Sequence, residues 1–273
     1  MENKVVIITG ATSGIGKACA FEYGKQKAKV VVTGRNQDKL DILSEELTTA
    51  GIEHHTVLAE ASSEADSEKV IETALERFGR IDVLIANAGI SMRALFEEMK
   101  LEVFLKVMDV NFRGSVYITK YALPHILKSK GAIIAISSIN GHRGTPARTA
   151  YTASKYAMEG FYEALRTEVF KRGVHVLVVS PGFTESNIRN IALDAQGTSQ
   201  GESPRDEKSM MSAEEVAHRI YKAHQKKKRD LVLTRQGKLA VFLNKWIPGI
   251  LDNMTYKMML NEPDSPLRKF EKN

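Results

Sequence analysis

The chain has 273 residues, 43% hydrophobic and 26% charged, an ordinary globular composition that excludes a disordered, collagenous or coiled-coil protein. The net charge of +6 is local: residues 226–273 hold eleven basic and five acidic side chains, and the first 225 balance. A neutral body with a basic tail lacks the basic face of a nucleic-acid-binding domain, so no such partner is expected. The single Cys19 excludes an internal disulfide and a structural zinc site, so no metal and a reducing, cytoplasmic setting are expected. Strand-like residues start at Lys4, which leaves no room for a signal peptide, and no run of ~18 apolar residues marks a membrane span.

Apolar, β-branched runs at 5–9, 29–33, 54–58, 82–86, 132–137, 175–180 and 230–234 read as strands. Helix-like stretches separate most of them, including 16–27, 36–50, 63–78 and 153–171. This alternation predicts an α/β fold: a doubly wound parallel sheet covered by helices on both faces. We take 1–235 as one catalytic domain and 236–273 as a helical extension.

The first strand runs into Thr9-Gly-Ala-Thr-Ser-Gly-Ile-Gly16. Gly10, Gly14 and Gly16 permit a tight turn and close backbone approach. The following helix then offers free N–H groups and a positive dipole end to a pyrophosphate, with Thr12, Ser13 and Ile15 in the same turn. The second strand ends at Gly34-Arg35, where an NAD site presents a carboxylate to the ribose hydroxyl. A guanidinium there suits a 2′-phosphate, so NADP(H) is expected over NAD(H).

Tyr151 and Lys155 are four residues apart and share one face if the segment is helical. A nearby ammonium favours the phenolate and makes the tyrosine an acid–base group. Ser138 follows the fifth strand, at the sheet edge where ligands bind. Residues 192–211 are polar and apolar-poor and read as a lid. Ser212 and Glu215 have capping-box spacing and open the next helix.

Beyond it, Lys226-Lys-Lys-Arg229 precedes an apolar stretch, 238–260, which Pro248-Gly249 breaks into two short helices. That stretch suits packing on the fold or on a second copy, as a homodimer or homotetramer. It equally suits peripheral contact with an anionic membrane through 226–260.

Together, the loop at 9–16, Asn87-Ala88-Gly89, Asn111, Ser138, Tyr151-x-x-x-Lys155 and Pro181-Gly182 resemble the short-chain dehydrogenase/reductase family, nearest its hydroxysteroid-dehydrogenase-like, lipid-active branch. The resemblance implies a Rossmann-like sheet of seven strands. It assigns Tyr151 as general acid, Ser138 as the group that polarises the carbonyl, and Lys155 as the ribose ligand that lowers the Tyr151 pKa. Asn111 would hold a relay water. Asn87, Ala88 and Gly89 would lie along the cofactor, and Pro181, Gly182, Thr184 and Ser186 would meet its carboxamide end. Glu60 stands where relatives carry Asp near the adenine, Thr184 replaces an aliphatic residue, and Ser186 replaces Thr. The implied activity is NADP(H)-dependent hydride transfer to a lipophilic ketone, in the reductive direction. The alternatives are a 3-ketoacyl-thioester reductase and a non-catalytic NADP(H)-sensing regulator.

Overall fold

In the computed structural model, described over residues 1–185, 188–201 and 210–271, the seven runs form one sheet. Its strands are β1 (Val5–Ile8), β2 (Lys29–Gly34), β3 (His54–Leu58), β4 (Val83–Ala86), β5 (Ala132–Ile136), β6 (His175–Ser180) and β7 (Asp230–Val232). They lie in the order β3-β2-β1-β4-β5-β6-β7, and every neighbouring pair is parallel. The winding reverses between β1 and β4, which opens a crevice beyond their carboxyl ends.

Alternate side chains of one strand feed two cores. Val6 and Ile8 of β1, with Val30 and Val32 of β2, pack into one apolar cluster. Val5, Ile7 and Val31 pack into the other. Burial on both faces explains why the strands are continuous apolar runs rather than alternating ones. Helices α1 (Gly14–Lys25) and α2 (Gln37–Thr49) contribute to the first cluster, and α3 (Glu64–Phe78) to the second. Side-chain caps mark two of these starts: Asn36 accepts from the Lys39 N–H (2.9 Å), and Ser63 from that of Asp66 (3.1 Å).

The stretch after β4 carries the one long helical run the sequence pattern leaves unmarked. Here α4 (Leu101–Met108) continues through a π-helical turn at Asp109–Arg113 into α5 (Gly114–Ser129). Helix α6 (Thr149–Val169) follows β5, and α7 (Ala213–Gln225) follows β6. Ser212 caps α7 by accepting from the Glu215 N–H at 3.1 Å.

Residues 192–201, read above as the start of a structureless lid, are ordered in part. Ala192 and Leu193 are buried. Leu193 exchanges backbone hydrogen bonds with the 91–93 segment, donating to Ser91 at 2.9 Å and accepting from Arg93 at 2.8 Å. The Asp194 carboxylate closes the next turn by accepting from the N–H groups of Gln196 and Thr198. Backbone pairing and one apolar anchor supply the order that the polar composition did not suggest.

The tail forms α8 (Arg235–Asn244) and α9 (Pro248–Leu260). It begins at Thr234, a non-glycine residue at φ 65° and ψ 148°, a backbone state that costs about 1–3 kcal/mol. Thr234 also caps α8, its hydroxyl accepting from the Gly237 N–H at 3.0 Å. The far end of the tail seats on the body through a small cluster of Leu95, Ala147, Met259 and Leu267. Among the described residues no helix is long and apolar enough to cross a membrane.

Candidate active site

The crevice over the β1/β4 switch is a cleft of about 640 Å³. Its first wall is the glycine loop. Gly10 (φ 63°) and Gly14 (φ 53°) hold left-handed backbone, which glycine adopts without steric cost. A Cβ on Gly10 would stand 2.8 Å from the Ala88 Cα, so the loop lies directly on the end of β4.

Asn87 makes that contact a clamp. Its Nδ2 donates to the carbonyls of Thr9 (2.9 Å) and Gly10 (3.0 Å). In return, the Thr9 hydroxyl accepts from the backbone N–H groups of Asn87 and Ala88, both at 3.0 Å. Thr9 lies just past β1, where it serves as a tie between the two loops. Gly16 does not line the cleft. A Cβ there would meet Asn87 Nδ2 and the Gly10 carbonyl at 2.5 Å, so it keeps the clamp closed from behind.

The residues present fit a dinucleotide. Helix α1 starts at Gly14 with no side-chain cap and no acidic residue in its first turn, so its free N–H groups and positive end are available to an anion. Thr12, Ser13 and Ile15 line the cleft beside it, as does Arg35, exposed at the end of β2. Glu60 lines the cleft after β3, with its backbone N–H donating to the Asp66 carboxylate at 2.7 Å. Ala88, Gly89, Pro181, Gly182 and Thr184 complete that side. Ser186 lies outside the described residues.

The predicted acid–base group gathers at the other side. Tyr151, in the first turn of α6, lines this end of the cleft with Ser138. Burial pushes its phenol above the ordinary value, opposed by the Ser138 hydroxyl and by the positive charges of Arg148 and Arg189. These two arginines were not singled out from the sequence. Arg148 stands three residues before Tyr151, a helical spacing that could have revealed it; Arg189 carries no such signal.

Lys155 is buried, and burial lowers its ammonium to about 8, with Glu159 acting in the opposite sense. Its Nζ donates to the Ile136 carbonyl at 2.9 Å and lies 5.7 Å from the Tyr151 ring centroid.

Asn111 sits behind the cleft wall, fully buried in the π-helical turn. Its Oδ1 accepts from the Ile90 N–H (2.7 Å), and its Nδ2 donates to the Ile90 carbonyl (3.0 Å) and the Ser154 hydroxyl (2.9 Å). A Cβ on Gly89 would lie 3.2 Å from the Asn111 Oδ1 and 3.7 Å from the Lys155 Nζ. Only a glycine at this position leaves Asn111 and Lys155 adjoining space. The wide turn that aims Asn111 inward is a local geometry common at functional sites.

Over Tyr151 the cleft is walled by the tail. Leu239, Ala240 and Leu243 of α8 and Leu251, Met254 and Met258 of α9 line it. The apolar stretch that the sequence left between packing, a second copy and a membrane therefore has at least one internal task.

Comparison with known proteins agrees with this geometry. The family model for short chain dehydrogenases matches residues 4–196. Over 256 residues the chain is 38% identical to Dehydrogenase/reductase SDR family member 7B of Mus musculus, covering 92% of this chain and 79% of that one. It is also 38% identical over 190 residues to an 11-beta-hydroxysteroid dehydrogenase of Pinus massoniana, covering 69% of this chain and 53% of that protein. A short-chain dehydrogenase/reductase of unknown function from Caenorhabditis elegans, crystallised with cofactor, superposes with a TM-score of 0.77 at 25% identity, covering 87% of this chain and 96% of its own. Glycine loop, doubly wound sheet and family match converge: the chain belongs to the short-chain dehydrogenase/reductase family, NAD(P)-dependent oxidoreductases acting on CH–OH or C=O groups.

Proposed function

We propose that this chain reduces a lipophilic ketone with NADPH and that Tyr151 is its general acid. One observation carries the reading: a single cleft has Arg35 and the uncapped α1 at one end, and the Ser138–Tyr151 pair under an apolar roof at the other. The nicotinamide supplies the hydride when bound. The protein orients the ketone and provides the proton. The Ser138 hydroxyl polarises the carbonyl oxygen while Tyr151 donates to it, and both side chains line the same cleft. Lys155 has three donors and uses one on the Ile136 carbonyl and one, long at 3.5 Å, on the Met158 sulfur, which leaves an N–H for the ribose hydroxyls. Asn111 fixes the 89–90 turn through both Ile90 bonds. The free lone pair on its Oδ1 is the position for a relay water. Arg35 receives the 2′-phosphate as a guanidinium fork.

Tyr151→Phe tests the assignment. NADPH oxidation with a long-chain ketone should fall by at least about a thousandfold, because the proton donor is lost. NADPH binding, followed by fluorescence, should stay within about threefold. Retained turnover would overturn the role of Tyr151, and NADH supporting turnover as well as NADPH would overturn the cofactor preference.

The exposed face of the tail supports a second reading, contact with an anionic lipid surface. Phe242, Trp246 and Ile250 are each more than half exposed and lie outside the cleft wall, so this side does not pack on its own body. Lys238, Lys245 and Lys257 are interspersed with them, as in interfacial helices. A lipophilic substrate would then enter from that surface.

A further inference from the structure

One arginine ties the roof of the cleft to its floor. Arg143 follows Ser138 by five residues, on the connection from β5 to α6. Its Nη1 donates to the Asn244 side chain of α8 at 3.0 Å, and its Nη2 to the Asp252 carboxylate of α9 at 2.6 Å. Asn244 in turn donates to the His142 carbonyl at 2.8 Å. Both roof helices are therefore held, on either side of the break before Pro248, to the turn that starts at Ser138. The buried Nε of Arg143 has no acceptor among the described residues, so the bonds that fix this guanidinium come from the tail.

The same arginine stands between two cavities. Arg143, Thr145 and Thr255 line the cleft, and they also line a second, open cavity of about 450 Å³. Thr149, Thr152 and Asn253 bring hydroxyl and amide groups to that second space, whereas Leu239, Leu243 and Met254 line the cleft alone. The wall thus changes from apolar to polar where Arg143 meets Asp252. The Asp252 side chain is 69% exposed and that of Arg143 14%. An ion pair with one partner in water holds weakly, so this boundary is closed but easily parted.

We propose that Arg143 is a specificity-determining residue that limits the length of the substrate. A ketone seated at Ser138 and Tyr151 lays its apolar chain under Leu239, Leu243 and Met254 and ends at the arginine. A longer chain must part Arg143 from Asp252 and enter the polar cavity, where added methylenes gain little from burial. This rests on the reductase reading above and adds a limit to its substrate class.

The test uses the full chain, NADPH and straight-chain methyl ketones of increasing length. In the parent, kcat/KM should rise by up to about fourfold for each methylene buried, then level off or fall beyond one length. In Arg143→Met the rise should continue past that length, with the next longer ketone gaining about fourfold or more over the parent. Asp252→Ala should move the limit in the same direction, as should raised salt in the parent. Each series is normalised to its own shortest ketone. A merely structural role of Arg143 would lower every length alike and leave the limit in place.

A parent series without any limit overturns the proposal, leaves the reductase reading intact and needs no variant to fold. A limit that stays put in Arg143→Met and Asp252→Ala overturns the assignment to Arg143. Should Arg143→Met fail to fold, Asp252→Ala decides the matter, since it alters a mostly exposed side chain. If no ketone of any length oxidises NADPH, the reductase reading falls and this proposal with it.

Discussion

Lys155 is held inside the protein, 3% exposed, with an ammonium whose ordinary value near 10.5 is brought down to about 8 by burial. A base whose native value is lowered destabilises the fold below that value, and the penalty fades as pH rises from about 8 towards 10.5. At neutral pH the difference corresponds to about 3 kcal/mol. Replacing Lys155 with Met removes that penalty but leaves the Ile136 carbonyl without its donor, at about 1–3 kcal/mol. Lys155→Met should therefore unfold at a higher urea concentration at pH 7, with a gain of up to about 2 kcal/mol, while losing turnover. The advantage should vanish near pH 10, and a variant less stable than the parent at pH 7 would refute this account. At this scale the sequence was informative where spacing encodes a shared helix face, as for Tyr151 and Lys155. It was silent on Arg189, whose place beside Tyr151 depends on how the chain returns after β6.

Elements were legible to the extent that their periodicity was undisturbed. The strands stand where the apolar runs place them, but Thr9, Ser137 and Thr234, read as strand residues, lie just beyond the ladders. Thr9 and Ser137 still donate backbone N–H groups to Ile85 of β4 and Val179 of β6, while Ser137 and Thr234 line the cleft and the Thr9 hydroxyl ties its loops together. The π-helical turn at Asp109–Arg113 was invisible because one extra residue per turn leaves no compositional trace.

Between elements, the sheet is tied by Asp82, at the entry to β4. Its buried carboxylate accepts from the Val5 N–H (3.0 Å), Lys4 (2.9 Å) and both Nε and Nη2 of Arg80 (2.8 and 2.7 Å). Burial alone would raise its pKa, but the bonds from Arg80, Val5 and Lys4 outweigh burial and hold it below the usual 3.8. A depressed carboxylate stabilises the fold above its unfolded value, and that contribution is lost as pH falls through the native one. Asp82→Asn should cost about 1–3 kcal/mol at pH 7 by chemical denaturation. The deficit should narrow as pH falls below ~4 and through the depressed native value, as the parent's carboxylate takes up its proton. An equal deficit at pH 7 and pH 3 would show that charge is not what Asp82 contributes.

At the scale of the whole molecule, the net charge of +6 is concentrated towards the C-terminus. All of that excess lies in residues 226–273, where Lys238, Lys245 and Lys257 are exposed on the same two-helix tail as Phe242 and Trp246. The lipid-surface reading predicts that the chain co-sediments with vesicles containing phosphatidylserine and only weakly with phosphatidylcholine alone. Phe242→Ser with Trp246→Ser should reduce the bound fraction by about fivefold or more, since each buried aromatic contributes roughly 1.5–3 kcal/mol. Sedimentation unaffected by both changes would reassign this face to contact between copies of the chain. Sequence alone could not separate these uses, because an apolar helix lining a cleft and one facing outward have the same composition. In α9 the buried side is Leu251, Thr255 and Met259, of which the first two line the cleft.

The manner in which the tail is attached bears on the order in which the protein comes into being. The walls of the cofactor half are complete by Thr184, whereas the roof of the substrate half is drawn from Thr234 to Met258. A chain emerging N-terminus first thus synthesises its nucleotide compartment well before the residues that enclose its substrate. The residues that seat the tail, Met259 and Leu267 against Leu95 and Ala147, emerge later still. Until those residues are in place, the half built on the glycine loop stands without the side chains that wall the other end of the cleft.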